Sequence, residues 1–427
     1  MKYNTQNAKI ESITEKTLIV GIDVGSETHY ARAFDWRNYE YSKKPLEFSN
    51  NEAGFVTFKV WMEELAEKYG KDVVIPGMEP TGHYWFNLGA YLQDNGMKPV
   101  HVNPHHVKKS KELDDNNPNK NDRKDPKTIA ALVNEGRFSY PYIPTGVYAE
   151  IRSLSNLRLQ AQEEITRIKN RIARWFSIYF PEIKDVYKNP GAVSGLMILK
   201  VAPLPKDIVK LGVDGVNQIW RDAKLRAGLK RAKTLVTAAE HSIGSQEACD
   251  SARIELKILL NDYEIYHQRE EELMELIEEK LSEVPYIDKL LEIKGIGMKT
   301  VSGFVAEVGD IKRFDNPKQL QKLAGYAIVE CSSGKHKGES HISYRGRKRL
   351  RYVLYEAAIS LIARNTEFKE IHRYYQTRGK NSLKKMQSVI AVACKALRIF
   401  YAILTKGVTY DGAKMLQDIK RPQLKVA

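Results

Sequence analysis

The chain has 427 residues, 42% of them hydrophobic, 9% aromatic and 28% charged, a balance that excludes a disordered polypeptide and suffices for two or three hydrophobic cores. Three cysteines, Cys249, Cys331 and Cys394, stand far apart without CxxC or Cys/His spacing, which excludes a disulfide framework and a structural zinc site. The net charge of +15 points to a polyanionic partner, because neutralising phosphates releases condensed counterions.

That charge gathers at HVKKSK, NKNDRKDPK, RDAKLRAGLKRAK, SYRGRKRLR and RGKNSLKK. No run approaches the roughly 18 apolar residues needed for a bilayer span. The opening MKYNTQNAKIESITEK also lacks the apolar stretch of a secretory signal. A cytoplasmic protein with no membrane partner is therefore expected.

From Lys16 onward, TLIVGIDVGSE, HYARAFDW and LEFS read as three strands with short polar connections. Phe55, Phe58, Trp61 and Leu65 predict a helix near residues 52–69, followed by a strand in DVVIPGME. A helix near residues 84–94, a short strand KPVHV, a basic Asn-rich loop and a helix near residues 125–135 complete the series. The order β-β-β-α-β-α-β-α is that of RNase H-like domains.

Residues 147–180 and 246–283 carry apolar residues at helical spacing among charged ones. They predict two long helices packed antiparallel, within one chain or between protomers, as in a coiled coil. Between them PGAVSG, VAPLPKD and a basic helix around Arg221–Lys233 read as an insertion that extends this arm. From Val284 the pattern changes to short helices with glycine turns, then a polar stretch, two apolar helices and a loose tail of about a dozen residues.

Four carboxylates stand out. Asp23, bracketed by glycines, sits in a strand where a buried charge needs a reason. Glu79 closes the fourth strand, which neighbours the first in an RNase H-like sheet. Asp122 and Asp125 lie three apart at a helix start and so share one face. Alone, each has a plain role: Asp122 and Asp125 as helix N-caps, Glu79 as a solvated strand end, Asp23 as a turn residue. Together they would repel unless a divalent cation neutralises them, and hard oxygen ligands suit Mg²⁺ or Mn²⁺. Two such ions can stabilise an in-line phosphoryl transfer. GIDVGSET is also similar to the first phosphate loop of actin-like ATPases, but the second phosphate loop and the adenosine site of that class are not found in the sequence.

Further on, IKGIGMKTVSGFVAEVG has helix-hairpin-helix form, in which Gly295, Ile296, Gly297 and Lys299 would meet a phosphate. ECSSGKHKGESHISYRGRKRLR sets small hydroxyl residues before a basic run with Arg345, Arg347, Lys348 and Arg349, which would mask phosphate charge. A serine here and Tyr344 are both chemically able nucleophiles, while Ser-Ser-Gly by itself is ordinarily a loop.

Both ends of the chain resemble one family, the DEDD transposases of insertion sequence 110 type, which are bridge-RNA-guided recombinases. The residues that carry the likeness are GIDVG, MEPTGHYW, VNPHHVK and NKNDRKDPKTIA, then IKGIGMKTVSGFVAEVGD, RFDNPKQLQKLAGYA, SSG and ISYRGRKRLRYVLYEAA. They cover most of residues 17–136 and 288–360. Pro126 stands where the family commonly has Ala, which a first helical turn tolerates. The lysine often found shortly after the first Asp is missing from VGSET.

The resemblance implies an RNase H-like (RuvC-like) DEDD catalytic domain over 1–145 and a coiled-coil connector with an insertion over 146–285. A mostly helical C-terminal transposase domain follows over 286–415, with a tail over 416–427. It further implies that Asp23, Glu79, Asp122 and Asp125 bind Mg²⁺, and that the serine before the glycine, Ser333, attacks DNA to form a phosphoserine intermediate, with Ser332 adjacent. The implied partners are donor and target DNA, a structured noncoding bridge RNA, and further copies of the chain in a dimer or tetramer whose composite site joins a tetrad to another protomer's serine. The protein would then read RNA shape and DNA backbone. A RuvC-like junction nuclease using water, an actin-like ATPase and a non-catalytic RNA scaffold are the competing readings.

Overall fold

The computed structural model describes residues 4–42, 44–80, 82–114, 125–189, 192–226, 228–329, 332–333, 336–337, 341–417 and 419. It divides into two compact units, Met1–Ile143 and Pro144–Ala427.

The first unit runs α1 (Asn4–Glu11), β1 (Thr17–Val24), β2 (Thr28–Phe34), β3 (Leu46–Ser49), α2 (Glu52–Lys68), β4 (Val73–Met78), α3 (Trp85–Asp94), β5 (Val100–Val102), α4 (Pro104–Asp114), α5 (Asp125–Asn134) and β6 (Phe138–Ser139). The sheet order is β3-β2-β1-β4-β5-β6. The first three strands are antiparallel, β4 and β5 run parallel to β1, and β6 closes the edge antiparallel to β5. Alternation along β1 explains the layering. Leu18, Val20, Ile22 and Val24 face a core with Phe55, Phe58 and Met62 of α2 and Leu88 and Leu92 of α3. Ile19 faces the opposite core with Ile129, Ala130 and Val133 of α5. Each fully buried Leu, Ile or Val side chain among these contributes roughly 1.5–3 kcal/mol.

Two features of this unit depart from the sequence reading. The segment expected as an Asn-rich loop is helical as α4 over its first half: Asn103 Oδ1 accepts from the His105 N–H at 2.9 Å, Pro104 suits the first turn, and Val107 is buried. Strand β6, only two residues long, leaves too little periodicity to be read.

The second unit opens with α6 (Gly146–Tyr179), followed by α7 (Ile183–Val186), α8 (Val193–Val201), α9 (Pro205–Asp222), α10 (Leu229–Glu240) and α11 (Cys249–Ser282). Arg158, early in α6, meets Glu270, late in α11, and the indole of Trp175, late in α6, donates to the Ala252 carbonyl, early in α11, at 3.0 Å. The two long helices are therefore antiparallel and pack within one chain. Helices α7 to α10 build a core around Trp175, Phe180, Trp220 and Leu235. The basic run expected as one helix around Arg221–Lys233 is instead the end of α9, a turn, and the start of α10. Lys224 takes a left-handed φ of 54°, and the Leu225 N–H turns back to the Trp220 carbonyl at 2.8 Å.

The remainder comprises α12 (Ile287–Leu291), α13 (Met298–Val308), a 3-10 turn (Ile311–Arg313), α14 (Pro317–Leu323), β7 (Ile328–Val329), β8 (Ser332–Ser333), β9 (His336–Lys337), β10 (His341–Ile342), α15 (Lys348–Arg364), α16 (Thr366–Thr377), α17 (Lys385–Lys406) and α18 (Gly412–Gln417). Helix α17 is the one described helix long and apolar enough to cross a membrane, which corrects the expectation that no run approaches that length. Its Val389, Val392, Ala396, Leu397, Phe400 and Ile403 are buried in the helical core with Phe304, Leu354 and Leu361. Its apolarity is thus that of a core helix packed by its neighbours.

Candidate active site and nucleic-acid interface

Residues Ile22 of β1 and Met78 of β4 pair in the parallel register, so Asp23 and Glu79 are the next residues along adjacent strands. Both are half-buried. The face they occupy follows from the glycines two residues before each. At Gly21 a Cβ would stand 1.8 Å from the Pro126 carbonyl oxygen, and at Gly77 it would stand 2.5 Å from Val133 Cγ2. Gly21 and Gly77 are themselves register partners. Helix α5 therefore lies directly on a saddle of two paired glycines, and Asp23 and Glu79 belong to the same side of the sheet. A glycine inside a strand commonly marks such a close approach, and this was the available sequence signal.

Asp125 is the first residue of α5 and is 8% exposed. Its carboxylate forms an ion pair with Lys111 of α4. Asp122 lies outside the described residues. Among the described residues no three His, Cys, Asp or Glu side chains gather closely enough to hold a metal ion. The donors that share this side of the sheet are all carboxylates, a hard-oxygen set whose chemistry fits Mg²⁺ or Mn²⁺, with the Lys111 ammonium neutralising Asp125.

The turn after Asp23 has its own brace, which sequence reading missed. His29, fully buried against Phe48 and Phe55, accepts the Gly25 N–H at Nδ1 at 3.2 Å. Asn50 donates to the Ser26 carbonyl at 3.0 Å. Burial lowers the His29 pKa below its ordinary value, partly offset by Asn50, which keeps Nδ1 free of a proton and able to accept. His101 in β5, edge-on to Trp85 at 4.2 Å, is pushed down to about 4 by burial.

In the second unit, Ser332 and Ser333 form β8, pairing antiparallel with Lys337 and His336 of β9. Cys331 lies outside the described residues. The glycines of the GIG turn differ from one another. Gly295, at φ 101°, is packed against α15, where Ser360 Oγ donates to its carbonyl at 2.7 Å. Gly297 caps α13 with open space where a Cβ would be.

The basic residues divide in the same way. Lys299 donates to Glu270 Oε1 at 3.1 Å, joining Arg158 at 3.0 Å and Gln162 at 3.0 Å on the same oxygen. Burial works to raise the pKa of Glu270, but Lys299 and Arg158 together outweigh it and hold the carboxylate below its usual range. Arg347 lies 3.4 Å and Arg349 3.7 Å from the buried Glu307 carboxylate, and Arg349 also donates to the Ser155 carbonyl at 2.8 Å. Arg345 and Lys348 are exposed. Tyr344 is 62% exposed at a left-handed φ of 53°, with the Arg351 guanidinium 5.4 Å from its ring.

Comparison with known proteins agrees with these two regions. A family model described as transposase, of the DEDD IS110 type, matches residues 20–181, and a model described as the transposase IS116/IS110/IS902 family matches residues 287–376, together more than half of the chain. The chain is 25% identical over 401 residues to the insertion element IS116 uncharacterized 44.8 kDa protein of Streptomyces clavuligerus, covering 90% of this chain and 94% of that protein. It is 21% identical over 404 residues to the insertion element IS110 uncharacterized 43.6 kDa protein of Streptomyces coelicolor, covering 92% and 96%. It is also 32% identical over 136 residues to the putative transposase y4rJ of Sinorhizobium fredii, covering 31% and 34%. The mixed α/β unit with its carboxylates and the helical unit with its glycine turn thus each carry a transposase match, and the chain belongs to the IS110 family of DNA transposases.

Proposed function

We propose that this transposase is an RNA-guided recombinase that excises and inserts its own mobile element through a Mg²⁺-dependent acidic tetrad and a covalent phosphoserine. The observation that carries the reading is the convergence on one side of a sheet: Asp23 and Glu79 follow the paired Ile22 and Met78, and α5, which begins at Asp125, lies on the glycines two residues before each. The strand order β3-β2-β1-β4-β5, with β4 and β5 parallel to β1, favours an RNase H-like (RuvC-like) assignment of residues 1–145. The antiparallel α6 and α11 support a coiled-coil connector over 146–285, and the helical core around α17 supports a transposase domain over 286–415.

In this reading Asp23, Glu79, Asp122 and Asp125 hold the cation. When bound, Mg²⁺ or Mn²⁺ supplies Lewis-acid stabilisation of the charge that develops on the reacting phosphate. Lys111 then exchanges its partner Asp125 for solvent. Ser333 Oγ attacks phosphorus, loses its proton to solvent, and forms a P–O bond while the bond to the leaving deoxyribose oxygen breaks and that oxygen takes a proton from solvent to leave as a hydroxyl. One phosphodiester linkage replaces another, so rejoining to a second strand needs no nucleotide cofactor. The exposed Arg345 and Lys348 mask phosphate charge, the open Gly297 allows close backbone approach, and Lys299, Arg347 and Arg349 shape that surface through Glu270 and Glu307. A noncoding RNA would select donor and target DNA by base pairing, and a dimer or tetramer would bring one protomer's tetrad to another's serine.

The test is a denaturing gel of the full chain incubated with Mg²⁺ and labelled DNA carrying the element's junction. Label shifted to protein mass in wild type and absent in Ser333→Ala supports the phosphoserine. Cleaved DNA without an adduct moves the assignment to a water-using nuclease, and Asp23→Asn with undiminished activity removes the metal site. RNA that copurifies and pairs with both junctions supports guidance.

A further inference from the structure

The positive charge is unevenly placed. Residues 1–143 carry a net charge of −1, so residues 144–427 carry +16, more than the whole excess of +15. There, many cations are matched: Lys200 with Glu264, Arg253 with Asp207 and Asp250, Arg167 with Glu164, Lys280 with Glu279 and Glu283. The corner between α9 and α10 differs. Arg221, Lys224, Arg226, Lys230, Arg231 and Lys233 are all exposed, and none forms an ion pair among the described residues. The one carboxylate in that stretch, Asp222, accepts a hydrogen bond from Gln218 at 2.8 Å.

The corner is a built feature. Trp220, buried, donates to the Ser194 carbonyl at 2.8 Å, and the Ala223, Lys224 and Leu225 N–H groups turn back onto α9. Helix α10 buries Ala232, Leu235, Val236 and Ala239, which leaves Lys230 and Lys233 toward solvent. The Arg231 guanidinium lies 4.6 Å from the centre of the Tyr187 ring. Cations in the first turns of α10 also oppose its dipole, and no acidic residue there relieves them. Such a concentration of unmatched charge repels itself and attracts a polyanion, whose phosphates relieve that repulsion.

We infer that this corner is a docking surface for the phosphate backbone of duplex DNA, outside the strands being exchanged. The choice of duplex rests on the chemistry present. Unpaired nucleic acid is held by stacking on exposed aromatic rings, and the two aromatics of this corner, Trp220 and Tyr187, are 1% and 5% exposed. A membrane surface calls for exposed apolar anchors, and of the residues from Arg221 to Lys233 only Leu229 is a large exposed hydrophobic. The inference rests on the DNA substrate of a transposase and is independent of the tetrad and Ser333.

The experiment compares full-length wild type with Lys224→Gln/Arg226→Gln/Lys230→Gln/Lys233→Gln, leaving Arg231 on its ring, for binding a labelled random-sequence duplex between roughly 0.05 and 0.3 M salt. The variant should bind at least about tenfold more weakly, with a log affinity against log salt slope shallower by about 3.6, at about 0.9 for each of four lost phosphate contacts. Its circular dichroism and melting should match wild type, because the four side chains are exposed. Neutralising the matched cations Lys200, Arg167 and Lys280 should leave the slope unchanged. Equal affinity and slope in wild type and variant would overturn the inference, as would a loss confined to structured RNA or a wild type that does not bind duplex. None of these outcomes bears on the adduct assay, which tests the serine separately.

Discussion

The two units fix their charged groups by opposite means. In the first, position comes from missing side chains: Gly21 and Gly77, paired across β1 and β4, let α5 settle onto the sheet beside Asp23 and Glu79. In the second, position comes from desolvated ion pairs. Arg158 and Glu270, 7% and 8% exposed, tie α6 to α11, and Glu307, 8% exposed, gathers Arg347 and Arg349 from the turn into α15 and its first residues. The first device fails when a methyl is added, because packed interiors have no spare volume. The second fails when one partner is removed, because the other is left buried and uncompensated.

The sharpest way to break the contrast is Gly21→Ala. The added Cβ meets the backbone oxygen of Pro126, which no side-chain rotation can relieve, so α5 must lift. Single-turnover cleavage of junction DNA should fall by about 100-fold or more; wild-type turnover would show that this contact does not set the site. Next is Glu270→Ala, expected to destabilise the chain by about 3–5 kcal/mol in urea unfolding, because Arg158 loses its buried partner. A loss below about 1 kcal/mol would mean the helix pair is held by its apolar seam alone.

Gly77→Ala is milder, since its contact is the Val133 Cγ2 methyl. Activity should drop and then return in Gly77→Ala/Val133→Ala, while Val133→Ala should not rescue Gly21→Ala. Equal rescue of both, or of neither, would merge the two glycines into a general packing effect.

The smallest effect is the acid response. His101 has a folded pKa of about 4 against an ordinary 6.5, so the unfolded chain binds more protons between those values. Stability is fully present above pH 6.5 and is lost as pH falls toward 4, by at most about 1.4 kcal/mol per pH unit for one proton. His29, lowered in the same direction by burial, adds to the slope. His101→Phe should flatten the pH dependence of melting in part, and an unchanged slope would exclude His101 as a source.

How much of the molecule was legible differs along the chain. The strands around Asp23 and Glu79 show clear alternation and glycine punctuation, and the long helices of residues 147–180 and 246–283 were readable within a few residues because their apolar spacing persists over 34 residues each. Helix α4 was hidden by its polar composition: among its described side chains, Val107 is the buried apolar anchor. The turn at residues 223–225 was hidden because Lys and Ala are good helix formers, and what breaks the helix is the docking of Leu225 beside Trp220.

The serine worth testing came from the resemblance to a known family; by itself the sequence determined the class of each unit, the carboxylates worth testing, and the motifs that carry that resemblance. Those follow from residue type and spacing, which local propensity and periodicity carry. Only the tertiary structure decided that Gly21 and Gly77 lie in register under α5, that Lys111 pairs with Asp125, and that Lys299, Arg347 and Arg349 are held by buried glutamates while the Arg221–Lys233 cations form no ion pair among the described residues. The physical reason is that all of these depend on which distant groups share a desolvated space, a property of strand register and helix packing that no local pattern encodes.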